Sequence, residues 1–382
     1  MPDPSLTGRY AGWPAGTARA LLAALLALLV AAALVPIRAG EGDVAPAGAT
    51  SAATPRERDA DLVLYDHVIA RLRHGESYYT VIAEEHRRHN YPLRPGFAVR
   101  LPTLAHAEAL LPHGALIPLS VALLGAVLLA WWRRLAEEPD GLPLRTLAMA
   151  ALFFGASIGT IRYFFVLHEL WAGQLLALSF ALHRPGQQPG RTGPWFAAWC
   201  AAAAALAIRE HALPFVLLMA AFAAWHRRWR EAAAWALLAA LFCAALAWHL
   251  HTVAGLLRPT DPPSASWITV RGLGGWLSMI VLSGNLRWLP HAVAGPIVVL
   301  ALFGWSAWRS AAGLFGSLLF AGYAVLFMIA GRGDNFYWGM MVGAALPMGL
   351  AFVPMGLGGL WRAAFPGAPP TNPIVSGNVA GQ

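Results

Sequence analysis

The chain of 382 residues contains no lysine: all 27 of its basic residues are arginine, so the choice of arginine at any one position carries no chemistry by itself. Cysteine is nearly missing too. The two present, Cys200 and Cys243, sit in apolar runs, which argues against a disulfide framework or a thiolate metal site and predicts two core-packed thiols. Charge is scarce: 12% of residues are charged, against about a quarter in ordinary soluble domains, while 58% are hydrophobic. That composition predicts an integral membrane protein. The net charge of +8 is scattered as short arginine clusters at helix ends, with no continuous basic face, so nucleic acid is not an expected partner. There is no tight ligand spacing such as HExxH, and no metal is expected. The glycine cluster "GLGGW" ending at Trp276 lacks the strand and helix context of a nucleotide loop, so no cofactor is expected.

What the chain does have is long apolar runs. Between Arg19 and Arg38 it reads "ALLAALLALLVAAALVPI", enough to cross a hydrocarbon core of about 30 Å as a helix. The run ends in Pro36 rather than a small-residue cleavage site, which favours an uncleaved anchor over a signal peptide. Further apolar segments cover roughly 113–132, 143–161, 163–182, 194–208, 212–225, 231–251, 291–308, 310–330 and 338–359, making about ten expected spans. The stretch "WFAAWCAAAAALAIREHALPFVLLMAAFAAW" reads as two short spans around Arg209-Glu210-His211, being too long for one. The predicted fold is therefore all-α and polytopic. Residues 1–37 form the cytoplasmic N-terminus and first span, 38–112 an extracytoplasmic loop, 113–360 the multi-span domain, and 361–382 a disordered cytoplasmic tail.

Orientation follows from alternation. With the N-terminus inside, the inner connections "WWRRLAEEPDG", "HRPGQQPGR", "WHRRWR", Trp308-Arg309 and the tail from Trp361-Arg362 all carry arginine, as short inner loops should. Arg162, His168-Glu169, Arg209-Glu210-His211, His249, His251 and "GRGDNFYWG" from Gly331 then fall at the outer ends of spans. Ionisable residues at membrane depth are costly and mark a functional site by default. The segment "WLSMIVLSGNLRWLP" is short for a span and is expected along the interface.

Inside the outer loop, "DADLVLYDHVIARLRHGESYY" stands out as a polar island. Leu62, Tyr65, Val68, Ile69 and Leu72 recur at helical spacing, Asp61 stands at the start and Gly75 at the stop. A second polar helix, "TVIAEEHRRH", is expected to end near Asn90, and a proline-punctuated stretch leads to the next span. The loop thus predicts a small helical cap joined to the first span by the linker "AGEGDVAPAGATSAATPRER". His74, His86 and His89 on it read as solvated histidines.

The same stretch resembles the first outer loop of GT-C class integral-membrane glycosyltransferases. The branch it is most similar to is that of bacterial polyprenyl-phosphate-mannose-dependent mannosyltransferases, in which an Asp begins a short helix followed by Tyr, Gly and Tyr; here these are Asp61, Tyr65, Gly75 and Tyr79. One departure is the linker from Ala39 to Arg58, which leaves open whether Asp61 or Asp59 holds the catalytic position, with Asp66 a third candidate. The resemblance implies transfer of a sugar from a lipid-linked polyprenyl-phosphate donor to a glycan or lipid acceptor at the outer face, with membrane lipids as surroundings. It implies a carboxylate base at Asp61 or Asp59, with inversion at the anomeric carbon. Arginine forks hold phosphate, so Arg209 with His211, then Arg162 and Arg332, are the expected phosphate ligands. Tyr65, Tyr79, Asp334 and Asn335 are the expected substrate contacts. Against these stand bland readings: Asp61 as a helix cap, the arginines as interfacial anchors, Asp334 and Asn335 as turn formers, His168-Glu169 as a structural pair. Two other classes remain in view, a transporter or lipid flippase and a non-catalytic subunit of envelope polysaccharide assembly.

Overall fold

The computed structural model describes residues 8–38, 60–112, 114–184 and 195–366. Asp59, the linker before it, most of the inner connection "HRPGQQPGR" and the end of the tail lie outside the described residues. Among the described residues the architecture is all-α, with two isolated β-bridges, Arg94 to Pro263 and Ile268 to Ala330.

The first helix, α1 (Ala15–Leu34), shows why such a chain seeks lipid. Its buried residues are Ala18, Leu25 and Ala32, one seam with a seven-residue spacing. Around that seam the helix remains apolar and outward: Leu26, Val30 and Leu34 are 64%, 51% and 76% exposed. An apolar surface on that scale needs an apolar solvent.

Between α1 and the next long helix lies an insert of three helices, α2 (Ala60–Arg73), α3 (Tyr78–Arg88) and α4 (Thr103–Leu110). The expected helical face is the one that packs: Leu62, Tyr65, Val68 and Ile69 are buried against Tyr78, Val81 and Ile82 of α3 and Leu104 and Ala105 of α4. Gly75 ends the first of these turns at φ +87°, a backbone conformation that other side chains resist. The proline-punctuated stretch contains one element that its composition hid, α4.

The remaining helices form the body: α5 (Leu116–Glu137), α6 (Gly141–Ala156), α7 (His168–Leu182), α8 (Trp195–Ile208), α9 (Leu213–Trp225), α10 (Trp229–Ala254), α11 (Gly272–Ser283), α12 (His291–Ala307), α13 (Ala311–Ile329), α14 (Met340–Gly343) and α15 (Val353–Ala364). Among the described residues, five helices are long and apolar enough to cross a membrane: α1, α5, α6 with its 3₁₀ extension to Thr160, α10 and α13. A sixth is the broken pair Gly333–Gly343 and Leu346–Ala364, whose halves meet at 57°. Apolar stretches such as Trp195–Ile208 and Glu210–Trp225 form shorter helices with a break at Arg209, as the polar triplet there predicts. The last helix runs on to Ala364, past the expected start of the tail.

Two expectations are corrected. Residues Gly275–Val281 of α11 are almost wholly buried among neighbouring helices, whereas a helix lying along an interface would leave one face open. Cys200 and Cys243 are exposed rather than core-packed. In a helix bathed in lipid the outward face is as apolar as the inward one, so an apolar run does not say which way a residue points. Close packing in the body is marked instead by small residues. A Cβ on Gly304 of α12 would run into the Gly349 carbonyl, and one on Gly349 into the Ala301 carbonyl, so backbone meets backbone there.

Candidate functional site

The insert sits on the body over the start of α7 and the end of α10, sharing a core with Phe165, Val166, Leu167, Leu170, Trp171 and Val253. Between insert and body is a cavity of about 510 Å³, within the range usual for small-molecule sites. Its walls come from α2 (Leu62, Leu64, Tyr65), from the segment around Arg100, from the break at Arg209-Glu210-His211, and from Arg332–Trp338 at the start of the bent pair.

Three guanidiniums line this space: Arg100, Arg209 and Arg332. Each is held differently. Arg209 is buried, with Nη2 at 2.7 Å from Glu169 and Nη1 at 3.1 Å from Glu210, while its Nε has no hydrogen-bond partner. Arg332 donates to Asp334 from Nε at 3.1 Å and Nη2 at 3.0 Å and to Ser264 Oγ from Nη1 at 3.0 Å, beneath the Trp267 ring. Arg100 lies over the rings of Tyr65 and Tyr337, at 4.5 and 5.4 Å from their centroids. His211 Nδ1 sits 3.0 Å from Glu210 and its ring 4.2 Å from that of Trp338, whose buried Nε1 lacks a hydrogen-bond partner. The backbone carbonyl of His211 accepts from Tyr323 at 2.5 Å. Asn335 spends its oxygen on the Arg332 N–H, at 3.2 Å, and its amide on Tyr337 Oη, also at 3.2 Å.

Of the residues singled out in the sequence, Tyr65, Arg209, His211, Arg332, Asp334 and Asn335 are brought together here. Asp61 occupies the first turn of α2, one residue before Leu62, which lines the cavity. Asp59 lies outside the described residues. Arg162 is exposed on a short 3₁₀ turn, Arg162–Phe164, whose Phe164 lines the cavity while Arg162 itself is not among the lining residues. Tyr79 is also displaced. It lines a second, apolar cavity of about 320 Å³ with Leu206, Phe242, Trp248 and His249, and its hydroxyl is 3.1 Å from His249 Nδ1. Burial raises the pKa of both Tyr78 and Tyr79.

Several contributors were not selected from the sequence. Arg100 sits in a proline-rich stretch read as a connection; its neighbours Phe97 and Ala98 line the same cavity, and Leu101 and Pro102 line the second one. Glu169 was paired with His168; its partner is Arg209, while His168 Nε2 lies 3.1 Å from the Leu101 carbonyl. His86, expected solvated, is 4% exposed and lines the cavity, with Nδ1 at 3.0 Å from the Pro92 carbonyl. A tether closes the insert over the site: Arg87 Nε donates to Asp261 at 2.8 Å and Nη2 at 2.9 Å, and this pairing depresses the Asp261 pKa to about 2.

Chemically, the cavity offers cationic donors balanced by carboxylates, aromatic rings, and the start of a helix carrying Asp61. Such a set suits an anionic ligand with a hydroxylated or apolar body. No family model, curated protein or solved structure matches the chain.

Proposed function

We propose that the chain is a membrane glycosyltransferase of the GT-C type, moving a sugar from a polyprenyl-phosphate donor to a glycan or lipid acceptor in this cavity, at the extracytoplasmic face of a bacterial inner membrane. The observation that carries the reading is the convergence of Arg100, Arg209 and Arg332 on one space whose wall includes α2, the helix with Asp61 in its first turn. A guanidinium has five donors, and Arg209 keeps its Nε uncommitted although two carboxylates take its terminal nitrogens. In this reading the arginines hold the departing phosphate, and Tyr65 and Tyr337 face the sugar. The adjoining apolar cavity under Tyr79 receives the start of the prenyl chain. The helices α2–α4 are then the extracytoplasmic cap.

The chemistry balances with groups of the chain itself. The Asp61 carboxylate takes the proton of an acceptor hydroxyl, whose oxygen bonds to the anomeric carbon from the face opposite the phosphate. The carbon–oxygen bond to phosphate breaks and the electron pair leaves on the polyprenyl phosphate, inverting the anomer. Developing charge on that phosphate meets the guanidiniums in a cavity between insert and body, where each contact is stronger than in bulk water.

The test is sugar transfer from a radiolabelled polyprenyl-phosphate sugar in membranes holding wild type, Asp61→Asn or Asp59→Asn at matched protein levels. Loss in Asp61→Asn alone assigns the base; transfer unchanged in both variants makes Asp61 a helix-capping residue and removes the mechanism. One observation favours a transporter as the second reading: the cavity is bordered by the break at Arg209 and by the 57° bent pair, and broken helices with ionic groups at their ends line transport sites. Wild type that moves a labelled lipid across vesicles while transferring no sugar from several donors would decide for that class.

A further inference from the structure

On the side of the insert away from the cavity, α2 and α3 bring together three ligating side chains. Glu85 and His89 stand four residues apart at the end of α3, and His67 faces them from α2. His67 Nδ1 and His89 Nε2 each lie 3.6 Å from Glu85 Oε2, and the three atoms fall within 4.8 Å of one another. None of the three residues lines the cavity.

The carboxylate is the informative member. Glu85 is fully buried, and its two oxygens are used differently. Oε1 accepts from Arg71 Nη1 at 3.1 Å and from Arg88 Nη1 at 2.9 Å. Oε2, aimed at the two imidazoles, has no hydrogen-bond partner, and neither does the buried Nε2 of His89. A buried carboxylate oxygen without a donor costs free energy unless something else meets it. The surrounding charge permits a cation: Arg71 is shared with Glu76 and Glu84 as well as Glu85, so these carboxylates outnumber Arg71 and Arg88 by one.

We propose that His67, Glu85 and His89 form a zinc(II) site that pins α2 to α3. Two imidazoles and a carboxylate are a donor set suited to zinc. Tetrahedral zinc with bonds of about 2.0–2.1 Å spaces its ligand atoms roughly 3.4 Å apart; each imidazole nitrogen lies 3.6 Å from Glu85 Oε2 and all three atoms fall within 4.8 Å, a set that closes on the ion by small side-chain movements. Arg71 and Arg88 on the far oxygen fix the carboxylate as outer partners of ligands do. His67, whose side chain is 49% exposed, supplies the entry route and leaves the fourth position to water. The absence of an HExxH pattern did not speak to this, because the ligands come from two helices. The site is independent of sugar transfer and would hold in a transporter as well.

The experiment uses the full chain, without a polyhistidine tag, in detergent micelles titrated with zinc chloride. Calorimetry is expected to give one equivalent bound per chain and a raised unfolding temperature. His67→Ala and His89→Ala are each expected to weaken binding roughly 10- to 100-fold or more, while His74→Ala, exposed elsewhere on the insert, leaves it unchanged. Cobalt(II) added to the unmodified chain is expected to show the visible bands of a four-coordinate ion, a readout no folding defect can imitate. Absence of stoichiometric binding to the wild type, or binding that survives in the His67→Ala/His89→Ala double variant, overturns the site.

Discussion

Helix α7 carries a buried ionic cluster at each end, roughly 20 Å apart along its axis. At its start, Glu169 pairs with Arg209, which also meets Glu210. At its end, His183 Nε2 lies 2.5 Å from Glu231, which accepts from Arg228 and Trp235, while Arg134 bonds Glu138 and the Phe180 carbonyl. Both clusters hold side chains that are almost completely buried. The first opens on the cavity of about 510 Å³ and the second on neither of the two cavities described. Depth and charge therefore do not by themselves mark a site in a membrane protein; what separates the two clusters is that the first borders unfilled space. Side chains at the packed end, with Trp131 and Phe180 stacked about Arg134, serve to close the bundle.

The sharpest way to break this contrast is to change one carboxylate in each region. Asp61→Asn is expected to lower sugar transfer by about 10²- to 10⁴-fold, the usual weight of a positioned base, with the unfolding temperature unchanged. Glu231→Gln at the packed end is expected to leave the residual transfer rate per folded molecule alone and to lower the unfolding temperature. Transfer assays paired with thermal unfolding in the same detergent check both, and equal rate losses would erase the distinction.

The next effect is on stability. Arg209→Met leaves Glu169 and Glu210 buried without their cation, which is expected to cost about 3–5 kcal/mol. Adding Glu169→Leu and Glu210→Leu to make a hydrophobic triple variant is expected to restore much of that while transfer stays lost. At the packed end, His183→Leu with Glu231→Leu is expected to be close to neutral in both respects. Denaturant or thermal unfolding of the variants measures the first quantity and radiolabel transfer the second.

How much of this could be read from the sequence follows the same division. The insert was legible because its polar background lets apolar residues signal: Leu62, Tyr65, Val68 and Ile69 are the buried face their spacing predicts. In the body that signal fades, since lipid-facing and protein-facing positions are equally apolar; hence the outward thiols of Cys200 and Cys243 and the burial of α11. Arg209, His211, Arg332 and Asp334, which line the cavity, could be singled out because ionisable groups are rare among apolar runs, and Asn335 came with Asp334. Arg100 could not, as it lies in a polar stretch where one more arginine carries no information. Tyr79 was expected at the site from its place in the resembling motif and Arg162 from its place at an outer span end; the packing puts Tyr79 in the second cavity and leaves Arg162 exposed, neither of which spacing along the chain could show.

A smaller change tests the packed region alone. Gly304→Leu puts a side chain where the Gly349 carbonyl already sits, and is expected to cost about 1–3 kcal/mol or more through overpacking. The same substitution at Gly322, where a Cβ would meet nothing within 4 Å, is expected to change stability little. Side-by-side thermal unfolding in one detergent is the check, and equal losses at the two positions would mean that α12 does not approach Leu346–Phe352 so closely.

The smallest expected effect returns to the cavity side. Arg87 holds Asp261 ionised, with its pKa lowered to about 2 from an ordinary value near 3.9. A carboxyl whose folded pKa is depressed contributes stability that is complete above its unfolded value and is lost as pH falls through the folded one. The tether between insert and the loop after α10 is therefore expected to weaken between about pH 4 and pH 2, with no change across neutral pH. Asp261→Asn removes that titration, so its stability should start lower at pH 7 and converge on the wild type as pH approaches 2. Because the packed end has no part in the tether, protease cleavage of the insert should rise over this acid window in the wild type before global unfolding. If instead the insert and body opened together at every pH, the Arg87–Asp261 pair would not be the latch and the cavity would be as rigidly built as the cluster at the other end of α7.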